Sequence, residues 1–333
     1  MNAIIAIKDI SDFVSAKMFA GICVNMENSF CNFLIFLHCN KAHIARWPHL
    51  RNACKKTKRL VILCQKCHIG GNKMREHDLN LLRIRLQEIK EMGWVKNQRP
   101  GNAGGVGNTL EDLLDVAENN LQLPDFGDWE LKSQRAETGS LLTLFHSEPK
   151  PRNARIVPQI LLLLYGWPHQ DAGTLYPTNE RSFRQTINAA SYSARGFKVN
   201  IDWNAECIFV SFDYQMIDNR YDEWRRFIKD GVGTEDIDPN PYWTFADISQ
   251  KLNTKLNNLM YVKAETRYIS GNEYFKYNEI EAYVDPTLEK FLNLVESGEI
   301  YVDFDARTGH NHRTKFRIRP AAKKELYQQH IVV

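Results

Sequence analysis

Three stretches of the chain hold residues whose types and spacing could do chemistry. In "LPDFGDWELKS" (123–133), Pro124-Asp125 is followed shortly by Glu130-x-Lys132. Carboxylates and ammonium groups are costly to bury unless they are paired or hold a metal, so the run is either a surface turn or a site. If "DWELKS" is a strand, period-two alternation sets Glu130 and Lys132 on one face and Trp129 and Leu131 on the other. An extended turn at Pro124-Asp125 can then bring Asp125 to the start of the same face. Two carboxylates and an ammonium suit phosphodiester hydrolysis: oxygens to hold Mg2+, and a cation near the attacking water or the developing charge.

The second stretch, "RTGHNHRTK", presents Arg307, His310, Asn311, His312, Arg313 and Lys315, all able to donate hydrogen bonds. Arginine can fork onto the O6/N7 edge of guanine, and imidazole can reach the same major-groove acceptors. The plain alternative is a solvated basic turn. A metal role for His310 and His312 lacks a neighbouring Cys or acidic partner. Around this tip, Val302 and Phe304, then Phe316 and Ile318, alternate with polar residues as two half-buried strands would, over 301–305 and 314–319. The third stretch is Cys64-x-x-Cys67-His68, directly after the apolar run Leu60–Leu63. A CxxC knuckle at a strand end is half of a zinc site; the other half is open among Cys31, His38, Cys39, His43 and Cys54. Six of the seven cysteines fall before residue 68, and from Lys41 to Arg75 there are ten Lys or Arg with no Asp or Glu. That positive field suits a polyanion, or simply a solvated face.

These residues need a scaffold. With 333 residues, 43% hydrophobic and 25% charged, the chain can bury a full core and has room for one large domain and a small one. No apolar run reaches the roughly 18 residues of a membrane span. The start "MNAIIAIKDISDF" lacks a secretory pattern, so the expected location is cytoplasmic, where clustered thiols are metal ligands more often than disulfides. Leu79, Leu81, Leu82, Ile84, Leu86, Ile89 and Met92 predict a helix with a buried stripe, stopped by Gly93. "GNAGGVGN" (101–108) reads as a flexible loop; without a following Lys-Ser/Thr it is no phosphate cradle. A helix then starts at Thr109, with Asp112 at capping-box spacing, Glu111 in its first turn, and Leu110, Leu113, Leu114 and Ala117 as its apolar face. Further on, 197–203 and 207–214 read as a hairpin, 221–230, 244–259 and 286–298 as helices, and 260–269 as a strand, with Trp203, Trp224, Tyr242 and Trp243 as packing residues. The class is α/β with a mixed sheet.

The run from 107 to 152 resembles the catalytic core of the MvaI/BcnI family of type II restriction endonucleases, related to the MutH mismatch-repair nicking enzyme within the PD-(D/E)xK nuclease superfamily. The resemblance is carried by Thr109-Leu110-Glu111, Glu118-Asn119-Asn120, Pro124-Asp125-Phe126, Glu130-Leu131-Lys132 and Leu144-Phe145 ahead of Pro149, with 301–320 as a second anchor. It implies a restriction endonuclease-like mixed sheet with flanking helices over 75–333, a catalytic part at 100–160 and a DNA-recognition part at 165–320. It further implies Asp125 and Glu130 as Mg2+ ligands and Lys132 beside them. Glu111 would be an additional metal or water-positioning group, against the plain reading of a glutamate favoured by the helix dipole. The 307–315 hairpin would read double-stranded DNA. The implied enzyme is a monomer that cuts short CC-x-GG-like sites one strand at a time, with a DNA methyltransferase as functional companion.

Residues 1–74 are similar to the zinc-supported HNH nuclease module, with His43 and His49 in "AHIARWPHLRN", but Ala42 stands where an acidic residue would help bind a catalytic metal. A degenerate zinc module, with Cys64 and Cys67 as Zn2+ ligands, is the expectation. Two other functions stay open: a MutH-like nicking enzyme, and a non-catalytic zinc-containing DNA-binding protein. Against the latter, Glu111, Asp125, Glu130 and Lys132 are all present.

Overall fold

A computed structural model describes residues 5–7, 34–38, 59–63, 71–102, 104–116 and 124–332. The chain divides into two compact units, Met1–His77 and Asp78–Val333. In the first, Ile5–Ile7 pairs in parallel with Leu34–His38, which pairs antiparallel with Arg59–Leu63. Cys64 and Cys67, with His43 and His49, lie outside the described residues, as does the Glu118-Asn119-Asn120 element.

The helix Gly71–Glu91 buries a narrower stripe than the sequence predicts. Leu82, Leu86 and Ile89 are buried, at the helical spacing of one face, whereas Leu81, Ile84 and Met92 are exposed, Ile84 by 58%. Seven apolar residues in fourteen exceed what one face of a helix holds, so the excess turns outward.

The glycine-rich stretch is the larger correction. Gly105–Leu113 is a helix, capped from Gly104 with no side-chain cap, so Gly105 to Asn108 lie inside it and Thr109 is no N-cap. Thr109 is instead fully buried, its hydroxyl accepting from the Gln98 amide at 3.1 Å. The glycines serve close approach: a Cβ on Gly105 would meet the Asn97 side chain at 2.8 Å, and one on Gly107 the Ser133 hydroxyl at 3.5 Å. A small face lets this helix lie against the strand Glu130–Arg135, which carries Ser133 and Glu130.

Among the described residues of the second unit, the strands form three sheets. The first runs Glu130–Arg135, Asn258–Ile269, Asn272–Pro286, Tyr327–Val332; its first pairing is parallel and the others antiparallel, with Val95–Lys96 added to Asn272–Pro286. The second runs Leu142–His146, Lys315–Ile318, Ile300–Arg307, Arg181–Ile187, Trp167–Pro168, all antiparallel. The third is Arg195–Asp202, Cys207–Ile217, Tyr242–Thr244. Leu82, Leu110, Trp129, Leu131, Val262 and Phe275 form one apolar core, and Phe145, Phe183, Phe197, Trp243, Phe291 and Phe316 belong to another. Trp203, expected in the core, is 51% exposed and rests edge-on against Phe245.

The helix Phe245–Lys255 opens on a capping box between Thr244 and Asp247. It ends at Lys255, short of the expected 259, because Asn258 already belongs to the next strand. Among the described residues no helix is long and apolar enough to cross a membrane.

Candidate active site

A tight turn brings the two halves of the acidic pattern together. Phe126 and Trp129 exchange backbone hydrogen bonds of 2.9 and 2.8 Å, with Gly127 at φ +57° between them. Asn258 fastens the turn to the neighbouring strand by donating to the Asp128 carbonyl at 3.1 Å. The reversal lets Asp125 Oδ2 accept from the Leu131 amide at 3.0 Å, which sets its carboxylate beside the first residues of the strand Glu130–Arg135.

Alternation then acts as expected. Trp129 and Leu131 enter the apolar core with Leu110 and Val262. Glu130 and Lys132 face the other way, and Glu130 is 0% exposed. Lys132 Nζ donates to Glu130 Oε1. On the other oxygen stands a residue that no sequence motif marks: Lys255, from the last turn of Phe245–Lys255, lies 2.9 Å from Glu130 Oε2 and 4.0 Å from Asp125 Oδ1. Glu130 Oε2 is buried and accepts no well-formed hydrogen bond.

The electrostatics follow from this crowding. Burial raises the Glu130 carboxyl above its ordinary value, the nearby Asp125 charge adds to the rise, and Lys132 and Lys255 oppose it. For Lys132, burial works against the ammonium, but the charge and hydrogen bond of Glu130, with Asp125 and Glu111, outweigh it and hold the pKa up. Glu111, on the helix Gly105–Leu113, thus lies within electrostatic reach of the site. Tyr327 is buried with its hydroxyl unpartnered, and burial followed by the Glu130 charge pushes its pKa up.

Next to the carboxylates lie basic residues, His146, Lys251 and Arg152, that sequence motifs also leave unmarked. His146 ends the strand paired with Lys315, and its imidazole is pushed down to about 4 by burial and then by Lys315, Arg313, Lys132 and Lys251. Burial, then Arg152, Lys255 and Arg313, lowers the Lys251 ammonium. Lys251 and Lys255 are one helical turn apart, the spacing that could have revealed a shared face.

The predicted DNA-reading hairpin forms, with Thr308-Gly309 at its tip between Arg307 and His310 and Gly309 at φ +70°. His310, Asn311, His312 and Arg313 are exposed, and the two imidazoles meet edge to face at 4.2 Å. Arg307 is held back by Glu180 at 3.1 Å and by the Tyr176 ring. Lys315 belongs to the sheet rather than the tip, its ammonium 3.1 Å from Asp305 and 3.9 Å from Asp303. Beside the tip a cavity of about 500 Å³ is lined by Arg152, Arg155, Arg307, His310 and Arg313, with Glu148. Arg152 and Arg155 are not adjacent in sequence to any motif of the hairpin; the fold alone puts them there.

Among the described residues no group of three or more His, Cys, Asp or Glu converges as a ready cation cage. Asp125 and Glu130 suit an ion that keeps much of its coordination for water and phosphate, as Mg2+ does.

The model of the MvaI/BcnI restriction endonuclease family matches residues 84–327. Among solved structures, the chain is similar to a complex of restriction endonuclease MvaI with cognate DNA substrate, at 28% identity over 76% of this chain and 97% of that one, with a TM-score of 0.62. It also matches MvaI in the absence of DNA, at 27% identity over 77% of this chain and 97% of that one, with a TM-score of 0.45. No curated protein matches it.

Proposed function

Because the chain belongs to the MvaI/BcnI restriction endonuclease family and is a site-specific deoxyribonuclease, we propose that it hydrolyses double-stranded DNA at a short CC-x-GG-like site, using Mg2+ held by Asp125 and Glu130. The observation that carries the catalytic part is the turn Phe126–Trp129, which gathers Asp125, Glu130 and Lys132 on one side of a strand edge. The donor set fits the ion: two carboxylates, one with a buried oxygen that accepts no well-formed hydrogen bond. When bound, such an ion polarises the scissile phosphate and lowers the pKa of a water.

The chain's own residues do the rest. Asp125 keeps its orientation through the Leu131 amide. Lys132, held cationic by three carboxylates, donates toward the attacking water and the charge that develops on the phosphate. Glu111, on the neighbouring helix and within electrostatic reach of Lys132, is an additional metal or water-positioning group. The exposed His310, Asn311, His312 and Arg313 read base edges in the major groove, and the arginine-lined cavity next to them takes backbone phosphates.

The chain acts as a monomer in the cytoplasm, and a methyltransferase of matching specificity accompanies it, since an enzyme that cuts a short site also threatens the genome of its own cell. Incubation of the purified protein with Mg2+ and a plasmid of known sequence tests the reading. Discrete fragments whose mapped ends share one short site are expected; an intact plasmid, or a smear without a common site, refutes it. A product nicked in one strand only would favour the MutH-like alternative.

A further inference from the structure

We infer that Lys255 is a resident counter-ion of the metal site: its ammonium occupies the approach between Asp125 and Glu130 and must withdraw before a divalent cation binds. The inference rests on the proposed metal role of those two carboxylates. Its basis is the arrangement around Glu130. A fully buried carboxylate is stable only if its charge is compensated. Lys132 compensates Oε1 from the same strand, a fixed partner two residues away. Lys255 comes from a different element, 2.9 Å from Oε2, and also reaches Asp125 Oδ1 at 4.0 Å. It is the cation that bridges both proposed ligands, as a divalent ion would.

Lys255 is also placed to leave. It is the last residue of its helix, its ammonium sits on a flexible four-carbon stem, and 21% of its side chain is open to solvent. Its neighbour one turn back, Lys251, lies among Arg152 and Arg313, on the side where DNA phosphates are proposed to lie. An ammonium displaced from the carboxylates therefore moves toward like charges, which is favourable only once phosphate is present. Metal and DNA should consequently assist each other's binding, because DNA stabilises the withdrawn position of Lys255.

The test measures Ca2+ binding by calorimetry in the absence of DNA, on the full chain. With the ammonium removed in Lys255→Met, no ion pair has to be broken, and Ca2+ should bind about tenfold more tightly than to wild type; Lys255→Arg should restore weak binding. Unchanged affinity in Lys255→Met overturns the inference. If that variant does not fold, wild-type protein decides: reductive methylation of Lys255, followed by mass spectrometry, should accelerate on Ca2+ addition, and an unaltered rate overturns it. Asp125→Asn separates the two levels. Loss of Ca2+ binding in that variant with no effect of Lys255→Met leaves the metal site standing and removes only the counter-ion role. Retention of binding in Asp125→Asn removes the metal site itself.

Discussion

Glu130 has an ammonium beside each oxygen while wholly buried, an arrangement with chemical as well as structural consequences. Asp125→Ala or Lys132→Ala should leave DNA binding near wild type in a filter or mobility assay and lower cleavage by about 10²–10⁴-fold, because such groups act chiefly on the transition state. Wild-type cleavage in either variant would sink the assignment. The raised Glu130 carboxyl sets a pH dependence. In the fold it takes up a proton at a higher pH than in the unfolded chain, so its ionised form opposes folding, and that penalty is relieved as pH falls through the folded value. Metal binding runs the other way, since the ligand is the carboxylate. Ca2+ affinity should therefore fall on the acid side above the ordinary glutamate range. In Lys132→Ala, which removes a cation opposing the rise, the fall should begin at still higher pH; an unmoved profile in that variant would contradict the coupling.

At the scale of elements, the helix Gly105–Leu113 and the 307–313 hairpin carry separate predictions. Asn97, against which Gly105 packs, is not free to yield: it donates to Glu273 at 2.7 Å and accepts from the Arg99 amide at 2.8 Å. Gly105→Ala should accordingly destabilise the protein by about 1–3 kcal/mol in denaturant melts, the usual cost of overpacking, although alanine is the better helix former. A stabilised variant would show that the close approach does not matter. In the hairpin, the two-residue turn Thr308-Gly309 is followed by His310 and His312, whose exposed rings meet edge to face at 4.2 Å. His310→Ala or His312→Ala should cost about 1–3 kcal/mol against the cognate site and much less against random DNA. Equal losses on both would make the tip a phosphate clamp.

Across the whole molecule, net charge is only +3, so affinity for a polyanion depends on where cations gather rather than on their sum. The fold gathers Arg152, Arg155 and Arg313 around one cavity near Lys251 and Lys315. Replacing Arg152 and Arg155 together by alanine should make the plot of log affinity against log salt shallower by about 0.9 for each phosphate no longer neutralised, with cognate and random DNA affected alike. A slope equal to that of wild type would place the backbone-binding cations elsewhere.

Local rules of the chain account for part of this protein without any knowledge of its neighbours in space. Alternation along Trp129–Lys132 put Glu130 and Lys132 on one face, because a strand offers only two. The apolar spacing of 79–89, the helix read at 221–230 and found at Asp222–Gly231, and the hairpin around Arg307–His310 were legible for similar reasons of period and turn chemistry. Local rules misread the glycine-rich stretch, since glycine's low helix propensity is outweighed there by close packing on Asn97 and Ser133, an approach between segments distant in sequence. They also left Lys251, Lys255, His146 and Arg152 unmarked. Each is an ordinary residue in an ordinary helix, strand end or loop, and its chemistry comes only from what faces it. Lys255 meets Glu130 across 125 positions of chain because Asn258–Ile269 pairs in parallel with Glu130–Arg135, which carries the end of the preceding helix to the start of that strand. That meeting belongs to the folded arrangement alone, since Coulomb attraction depends on distance in space and not on separation in sequence.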